Sequence, residues 1–162
     1  MASGPALITS QHLIDRLDGG AEELRRLAGD DGTGTYDADK VATAIATASE
    51  DAYGALLAGF ATVERVQALV ENDPAVIDAI CLRARYALTR WKNSFIAADG
   101  RHVFQSSARE ALDLLRDKAR GAKRSSAEES TGVGQSSVLR PRSAAGRDPS
   151  PVRDGTGTWR GF

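Results

Sequence analysis

The residues best suited to metal chemistry lie in one glycine-rich loop, residues 29–37 (GDDGTGTYD). A calcium-binding EF-hand loop needs oxygen ligands at positions 1, 3 and 5, a glycine at position 6 and a glutamate at position 12. Counting from Asp30, glycines fall at positions 3 and 5, and Val41 falls at position 12. The spacing therefore does not favour a calcium site, and Asp37 is better explained as the residue that caps the next helix.

Acid–base and nucleophilic chemistry have few candidates in this chain. His12 and His102 are the only histidines, and Cys81 is the only cysteine. No predicted helix carries two histidines at metal-binding spacing, and no serine, histidine and aspartate stand in a supporting motif. The segment Gly32-Thr33-Gly34 lacks the lysine and the preceding strand of a phosphate-binding loop. We therefore predict neither an enzyme nor a bound cofactor or metal, and we expect Cys81 to pack as a small apolar side chain.

Charge is distributed unevenly along the 162 residues. The net charge is −1 at pH 7, which does not favour a general nucleic-acid binder, because such proteins are clearly basic. Residues 1–120 hold 14 Lys and Arg against 18 Asp and Glu, whereas residues 121–162 hold 7 against 4. An acidic body that carries a basic tail predicts an acidic partner surface for the tail.

Neither a targeting segment nor a membrane span is predicted. The first residues, MASGPALITSQ, contain no basic stretch followed by an apolar core, so they do not resemble a signal peptide. No apolar run approaches the ~20 residues needed to cross a bilayer. The single cysteine excludes an intramolecular disulfide, which suits a reducing compartment.

The helices that must position these residues are organised around one stretch, Asp73–Trp91 (DPAVIDAICLRARYALTRW). Asp73 can cap a helix, and Pro74 suits the first turn, where its missing N–H costs nothing. Apolar residues then recur at steps of three and four, which predicts one buried face. That face consists of Ile77, Ile80, Cys81, Ala84, Leu88 and Trp91.

Basic side chains of the same stretch fall outside the apolar face. Arg83, Arg85 and Arg90 are expected to be solvated, or to pair with acidic residues of neighbouring helices.

Periodicity predicts further helices on both sides, and no run of alternating β-branched residues predicts a strand. The fold class is therefore predicted to be all-α, a small bundle of about four to five helices. The predicted helices span residues 10–17, 21–28, 38 to about 58, a short turn near 64–70, and 102–119. Their expected buried positions are Leu13, Ile14, Leu17, Leu24, Leu27, Val41, Ile45, Ala48, Ala52, Leu56, Phe104, Ala108, Ala111, Leu112 and Leu115.

Composition changes after Arg120, which predicts a boundary between a helical body (1–120) and a tail (121–162). The tail contains 7 Gly, 7 Ser and 3 Pro, with few large apolar residues. Because such a segment cannot offset its ordering entropy alone, we predict an extended tail that becomes ordered only against partners.

The end of this tail combines aromatic and basic residues. Trp and Arg are the residue types found most often as interface anchors. We therefore predict that Trp159, Arg160 and Phe162 bind a partner pocket, the plainer interpretation being an end without a partner. Electrostatic contacts are predicted for Arg140, Arg142, Arg147 and Arg153.

Two short predicted helices separated by a glycine pair permit an alternative hypothesis. A helix-turn-helix protein presents basic and amide side chains of its second helix to base edges. The second helix here offers Arg25 and Arg26, but it begins with two glutamates, which would face phosphates. A small helical regulator that binds DNA through residues 10–28, or a protein through its tail, is the alternative.

Four motifs follow one another over roughly residues 7–120. They are Leu13-Ile14-Asp15-Arg16, the Asp/Gly-rich loop 29–37 before an alanine-rich helix, the pattern Ala79-Ile80-Cys81 with Ala84-Arg85-Tyr86, and the step Ala111-Leu112-x-x-Leu115. This order resembles the head-to-tail adaptors of tailed phages, in particular the small neck proteins of Mu-like phages and prophages. The chain departs from the pattern at Gly29 and Thr33, where many relatives carry aspartates, and in the tail, which the pattern does not match.

The resemblance implies a virion structural protein, assembled in the host cytoplasm and located in the neck between capsid and tail. Such adaptors form a ring, usually of twelve copies, below the portal protein, and they offer a platform to the next neck or tail protein. Genomic DNA passes through the ring without sequence-specific binding, and no membrane is involved. The acidic body suits such a channel, since like charge keeps the phosphates from sticking.

Overall fold

The structure, a computed structural model, describes residues 4–29 and 34–132, with side chains up to residue 127. Within these ranges the chain forms six α-helices and no strand, so the predicted all-α class is confirmed. No described helix is both long and apolar enough to cross a membrane. The helices are α1 (Ser10–Asp15), α2 (Gly20–Ala28), α3 (Ala38–Phe60), α4 (Val63–Asn72), α5 (Pro74–Thr89) and α6 (Gln105–Gly132), and a 3-10 turn covers Asn93–Phe95.

Side-chain caps fix where several helices begin. Thr9 forms a capping box with His12, the side chain of each accepting from the backbone N–H of the other. Asp37 accepts from the N–H of Lys40 at 3.1 Å, and Asp73 accepts from the N–H of Ala75 at 3.1 Å. The caps at Asp37 and Asp73 were predicted from the residue types, and they place α3 and α5 where periodicity predicted them.

Three helices, α3, α5 and α6, form the centre of the bundle, and α3 and α5 each contact all five other helices. The prediction of a single central helix was therefore half right, because α3 shares that position with α5. Arg83 of α5 binds Asp51 of α3 and also donates to the carbonyl of Ala108 of α6. Further along, Gly59 of α3 lies against Ala119 of α6, so α3 and α6 run parallel and α5 runs antiparallel to both.

The predicted apolar faces are largely buried. All five predicted positions of α3 are in the core, together with Leu24 and Leu27 of α2. On α5, Ile80, Cys81 and Ala84 are buried, and Ile77 and Leu88 pack partly buried against the core.

Trp91 is the exception among the predicted core residues, because 81% of its surface is exposed. α5 ends at Thr89, and the backbone then turns so that the N–H of Lys92 donates to the carbonyl of Thr89 at 2.9 Å. Helical spacing no longer describes a residue that follows the last turn, and for this reason Trp91 does not continue the buried face.

The last helix also ends later than predicted. It continues past Arg120 to Gly132, so the first twelve residues of the predicted extended tail are helical. Residues 121–132 contain Ala, Lys, Arg and Glu, which favour helix, and the prolines all come after residue 140. The Gly, Ser and Pro content of the whole tail hides the helix-favouring residues of its first twelve positions. The remaining predicted tail, residues 133–162, lies outside the described residues.

An N-terminal segment before α1 packs across α3, which the sequence did not predict. Leu7 and Ile8 are buried, and the N–H of Leu7 donates to the buried hydroxyl of Ser49 at 3.0 Å. The hydroxyl of Tyr53 donates to the carbonyl of Pro5 at 3.1 Å. These bonds satisfy the polar groups that the packed segment removes from water.

Candidate functional site

The residues predicted to bind partners lie outside the described residues. This holds for Trp159, Arg160 and Phe162 and for Arg140, Arg142, Arg147 and Arg153. The structure therefore neither brings them together nor separates them. Candidate binding surfaces are identified on residues 4–29 and 34–127 instead.

The segment that joins α5 to α6 carries the three most exposed large apolar side chains among the described residues. Trp91 is 81% exposed, Val103 55% and Ile96 45%. We name these three residues the connector platform. Isolated exposed apolar residues are ordinary on protein surfaces, so these three mark a candidate binding surface by their high exposure and their place in one thirteen-residue segment.

Backbone hydrogen bonds give this segment a defined shape. Ile96 and His102 form an isolated antiparallel bridge, and the N–H of Ala97 donates to the carbonyl of Arg101 at 2.8 Å. Gly100, with φ +76°, occupies the left-handed conformation that the turn needs. The N–H of Val103 donates to the carbonyl of Phe95 at 2.9 Å. Ile96 and Val103 of the connector platform therefore lie on an ordered hairpin-like turn, and Trp91 precedes it.

Aromatic packing holds the inner side of the same turn against the helices. The ring of His102 lies 5.1 Å from the ring of Tyr86, edge to face, and 6.2 Å from that of Phe95 and 5.9 Å from that of Phe104. Its Nδ1 accepts from the N–H of Phe104 at 3.2 Å. His102 thus serves as a packing residue, which sequence reasoning placed only near a helix start. The cluster packs the inner side of the turn against the helices, while Ile96 and Val103 remain exposed.

The side chain of Arg85 connects this aromatic cluster to α2. The guanidinium of Arg85 lies over the ring of Phe104, 4.2 Å from its centre, and Nη2 donates to Glu23 at 2.6 Å. Only 25% of the Arg85 side chain and 12% of the Glu23 side chain are exposed. The prediction that basic residues of α5 pair with neighbouring acids is confirmed for Arg85, and also for Arg83 through Asp51. Arg90 instead stacks on Trp91, 4.9 Å from its ring centre.

A pocket of about 310 Å³ opens between α1, α2 and α5. We name it the leucine pocket. Arg16, Asp78 and Arg85 stand at its polar side, and Arg16 is paired with Asp78. Its apolar lining consists of Leu13, Leu17, Leu24, Leu27, Cys81, Leu82 and Leu88.

Cys81 lies in the wall of the leucine pocket as the small apolar residue that the sequence predicted. It is 5% exposed, and its Sγ donates weakly to the carbonyl of His12 at 3.7 Å. Burial raises the pKa of the Cys81 thiol to about 12, because the thiolate would lose its hydration. A neutral thiol is a poor nucleophile, so this environment is that of a packing cysteine.

Metal ligands do not cluster in the described part of the chain, where no three His, Cys, Asp or Glu residues could hold an ion together. The loop 29–37 is described only at residue 29 and from residue 34 onward. His12 belongs to the cap of α1, so the two histidines have separate structural partners.

Comparison with family models, with curated proteins and with solved structures found no match to this chain.

Proposed function

We propose that this chain is a head-to-tail adaptor of a tailed phage, whose copies form a ring, of twelve by resemblance, between the portal protein and the next neck or tail protein. The proposal rests on the motif order over residues 7–120 and on a helical body whose two ends differ. The connector platform lies at the end where α5 finishes and α6 begins. α6 leaves the body at the other end, beyond the contact of Gly59 with Ala119.

The connector platform is the structural observation that supports two unlike ends. An adaptor must bind one protein above and a different protein below, and this requires two unlike surfaces on one body. The guanidinium of Arg90 lies over the ring of Trp91. Trp and Arg are among the residue types found most often as binding anchors. The turn that presents Ile96 and Val103 is already ordered, so binding would cost little conformational entropy. We assign this surface to the downstream neck or tail protein.

The opposite end would reach the portal and neighbouring copies. Between Arg120 and Gly132, α6 adds about 20 Å at 1.5 Å per residue, and residues 123–127 are exposed along it. The chain that follows, residues 133–162, holds five arginines and two aspartates. In this proposal Arg140, Arg142, Arg147 and Arg153 contact acidic portal surface, and Trp159, Arg160 and Phe162 serve as anchors.

The experiment is reconstitution of the full chain with the portal and the next neck protein, observed by electron microscopy. The wild type should add one ring below the portal and recruit the next component. Trp91→Ser with Val103→Ser should retain the ring and lose the next component. The matched control is Leu57→Ser with Leu114→Ser, each 36% exposed and away from the connector, and it should recruit normally.

Failure of the wild type to form a ring on the portal would contradict the adaptor proposal. Normal recruitment by the Trp91 and Val103 variant would contradict the assignment of the connector platform.

The regulator hypothesis is less well supported by the geometry of α2. Arg25 pairs with Glu22 at 2.5 Å, and Glu23, which accepts from Arg85, also lies 3.9 Å from Arg26. A recognition helix would need those guanidinium groups for base edges and phosphates. Duplex binding by the full chain that weakens steeply with salt would favour the regulator instead.

A further inference from the structure

The leucine pocket has the form of a receptor for one large apolar side chain. Six leucines line it, three helices enclose it, and Leu82 at its rim is 37% exposed. Arg16 and Asp78 provide polar groups beside the apolar lining, and the Asp78 side chain is 57% exposed. Concave apolar sites with a few placed polar groups are the usual form of a ligand or peptide pocket.

We infer that the leucine pocket binds the segment Trp159-Arg160-Gly161-Phe162 of a neighbouring copy of this chain. An aromatic side chain of the segment would fill the apolar interior. Arg160 would then lie beside the exposed carboxylate of Asp78. This inference rests on the proposed function, because it takes the adjacent copy in the ring as the partner.

Charge on the two parts of the chain favours the same pairing. Residues 1–132, which contain the pocket, hold 16 Lys and Arg against 20 Asp and Glu. Residues 133–162, which contain the segment, hold five arginines against two aspartates. A basic segment and an acidic body attract each other over long range, which speeds their encounter. At the pocket itself Arg16 is paired with Asp78 and Arg85 with Glu23, so the exposed Asp78 carboxylate is the acidic group that Arg160 could approach.

The length of the chain beyond α6 allows the segment to reach a neighbouring copy. The pocket lies beside the middle of α5, between Asp78 and Leu88. α6 passes the start of α5, where Lys118 binds Asp73 at 2.5 Å, and then continues about 20 Å further from the pocket. The 26 residues between Gly132 and Trp159 span up to about 85 Å, which is ample for an adjacent copy.

Such an arrangement is a head-to-tail contact. Each copy offers its pocket to one neighbour and its segment to the other, and repetition of a heterologous contact closes a ring when the rotation permits. The same segment cannot serve two copies at once, so each pocket would be filled once around the ring.

The test mixes two full-length variants that lack opposite halves of the contact. Leu82→Glu places a charge at the pocket rim, and Trp159→Ala with Phe162→Ala removes the aromatic side chains. In analytical ultracentrifugation the wild type should self-associate, each variant alone should stay monomeric, and an equal mixture should form dimers. Leu57→Glu, at 36% exposure elsewhere on the body, is the matched control and should behave as the wild type.

A second measurement detects weak contacts. A labelled peptide of residues 151–162 should bind the Trp159→Ala and Phe162→Ala chain, and at least about tenfold more weakly when Leu82→Glu is added. Circular dichroism of each variant verifies that the helical body is intact.

Three outcomes would overturn the inference. They are absence of peptide binding up to millimolar concentration, equal peptide binding with and without Leu82→Glu, and a monomeric wild type that excludes the peptide because its own segment fills the pocket. Failure of the proposed function would look different. The two complementary variants would form dimers when mixed, but the wild type would form no ring on the portal.

Discussion

Gly59 marks the closest approach of α3 and α6, and a methyl group placed there should push the helices apart. A Cβ at this position would lie 2.1 Å from the carbonyl oxygen of Ala119 and 2.6 Å from its carbonyl carbon. Ordinary van der Waals contact begins near 3.4 Å, so the two backbones would have to separate by more than 1 Å. Because the obstacle is backbone, no side-chain rotation can relieve it.

The size of the effect follows from two opposing terms. Overpacking of this kind costs about 1–3 kcal/mol, whereas alanine gains about 1 kcal/mol over glycine inside a helix. Gly59→Ala should therefore lower the free energy of unfolding by up to about 2 kcal/mol. Gly54 lies in the same helix, and apart from the backbone of that helix nothing lies within 4 Å of the place where a Cβ would stand. Gly54→Ala should therefore raise that free energy by up to about 1 kcal/mol.

Urea unfolding followed by circular dichroism at 222 nm measures both variants under the same conditions. The two midpoints should move in opposite directions with little change in slope. Adding Ala119→Gly to Gly59→Ala should not restore stability, since the clash involves backbone atoms. Equal stability of Gly59→Ala and Gly54→Ala would refute the close approach of α3 and α6.

Two further predictions concern buried polar groups. Arg85→Met should lower the free energy of unfolding by about 1–3 kcal/mol in urea titrations, because it leaves the largely buried Glu23 without its closest cation, and Glu23→Gln in the same chain should recover part of the loss. The thiol of Cys81 has its pKa raised from 9.0 to about 12, so the folded state keeps a proton that the unfolded state loses above pH 9. Stability should therefore fall between pH 9 and pH 12 more steeply in the wild type than in Cys81→Ala, and equal slopes would contradict the burial of this thiol.

Local signals in the sequence were sufficient for most of the helices. Thr9, Asp37 and Asp73 cap helices with their own side chains, so the residue type and its place before an apolar repeat carry the information. Burial along α3 followed from a spacing of three and four residues, which holds wherever the helix continues.

The surfaces could not be predicted from local patterns, because they depend on how distant parts of the chain pack together. Trp91 follows the apolar repeat of α5 but lies after its last turn, and the turn at Thr89 decides its exposure. The leucine pocket combines residues 13–27 with residues 78–88, which are separated by about fifty positions of chain, so only the fold assembles it. Similarly, the ring of His102 acquires its aromatic neighbours from both sides of the connecting turn.

The packed interface between α3 and α6, which we call the seam and which includes Gly59 and Ala119, also determines how the molecule would respond to a pulling force. Because the two helices are parallel neighbours, tension on the chain beyond Gly132 would act along the seam as shear. Packed side chains along the seam would then have to yield together, and the close fit of Gly59 on Ala119 would hinder sliding. A body pulled by its C-terminal segment would thus resist as one rigid unit, whereas a force applied across the seam would open it one turn at a time.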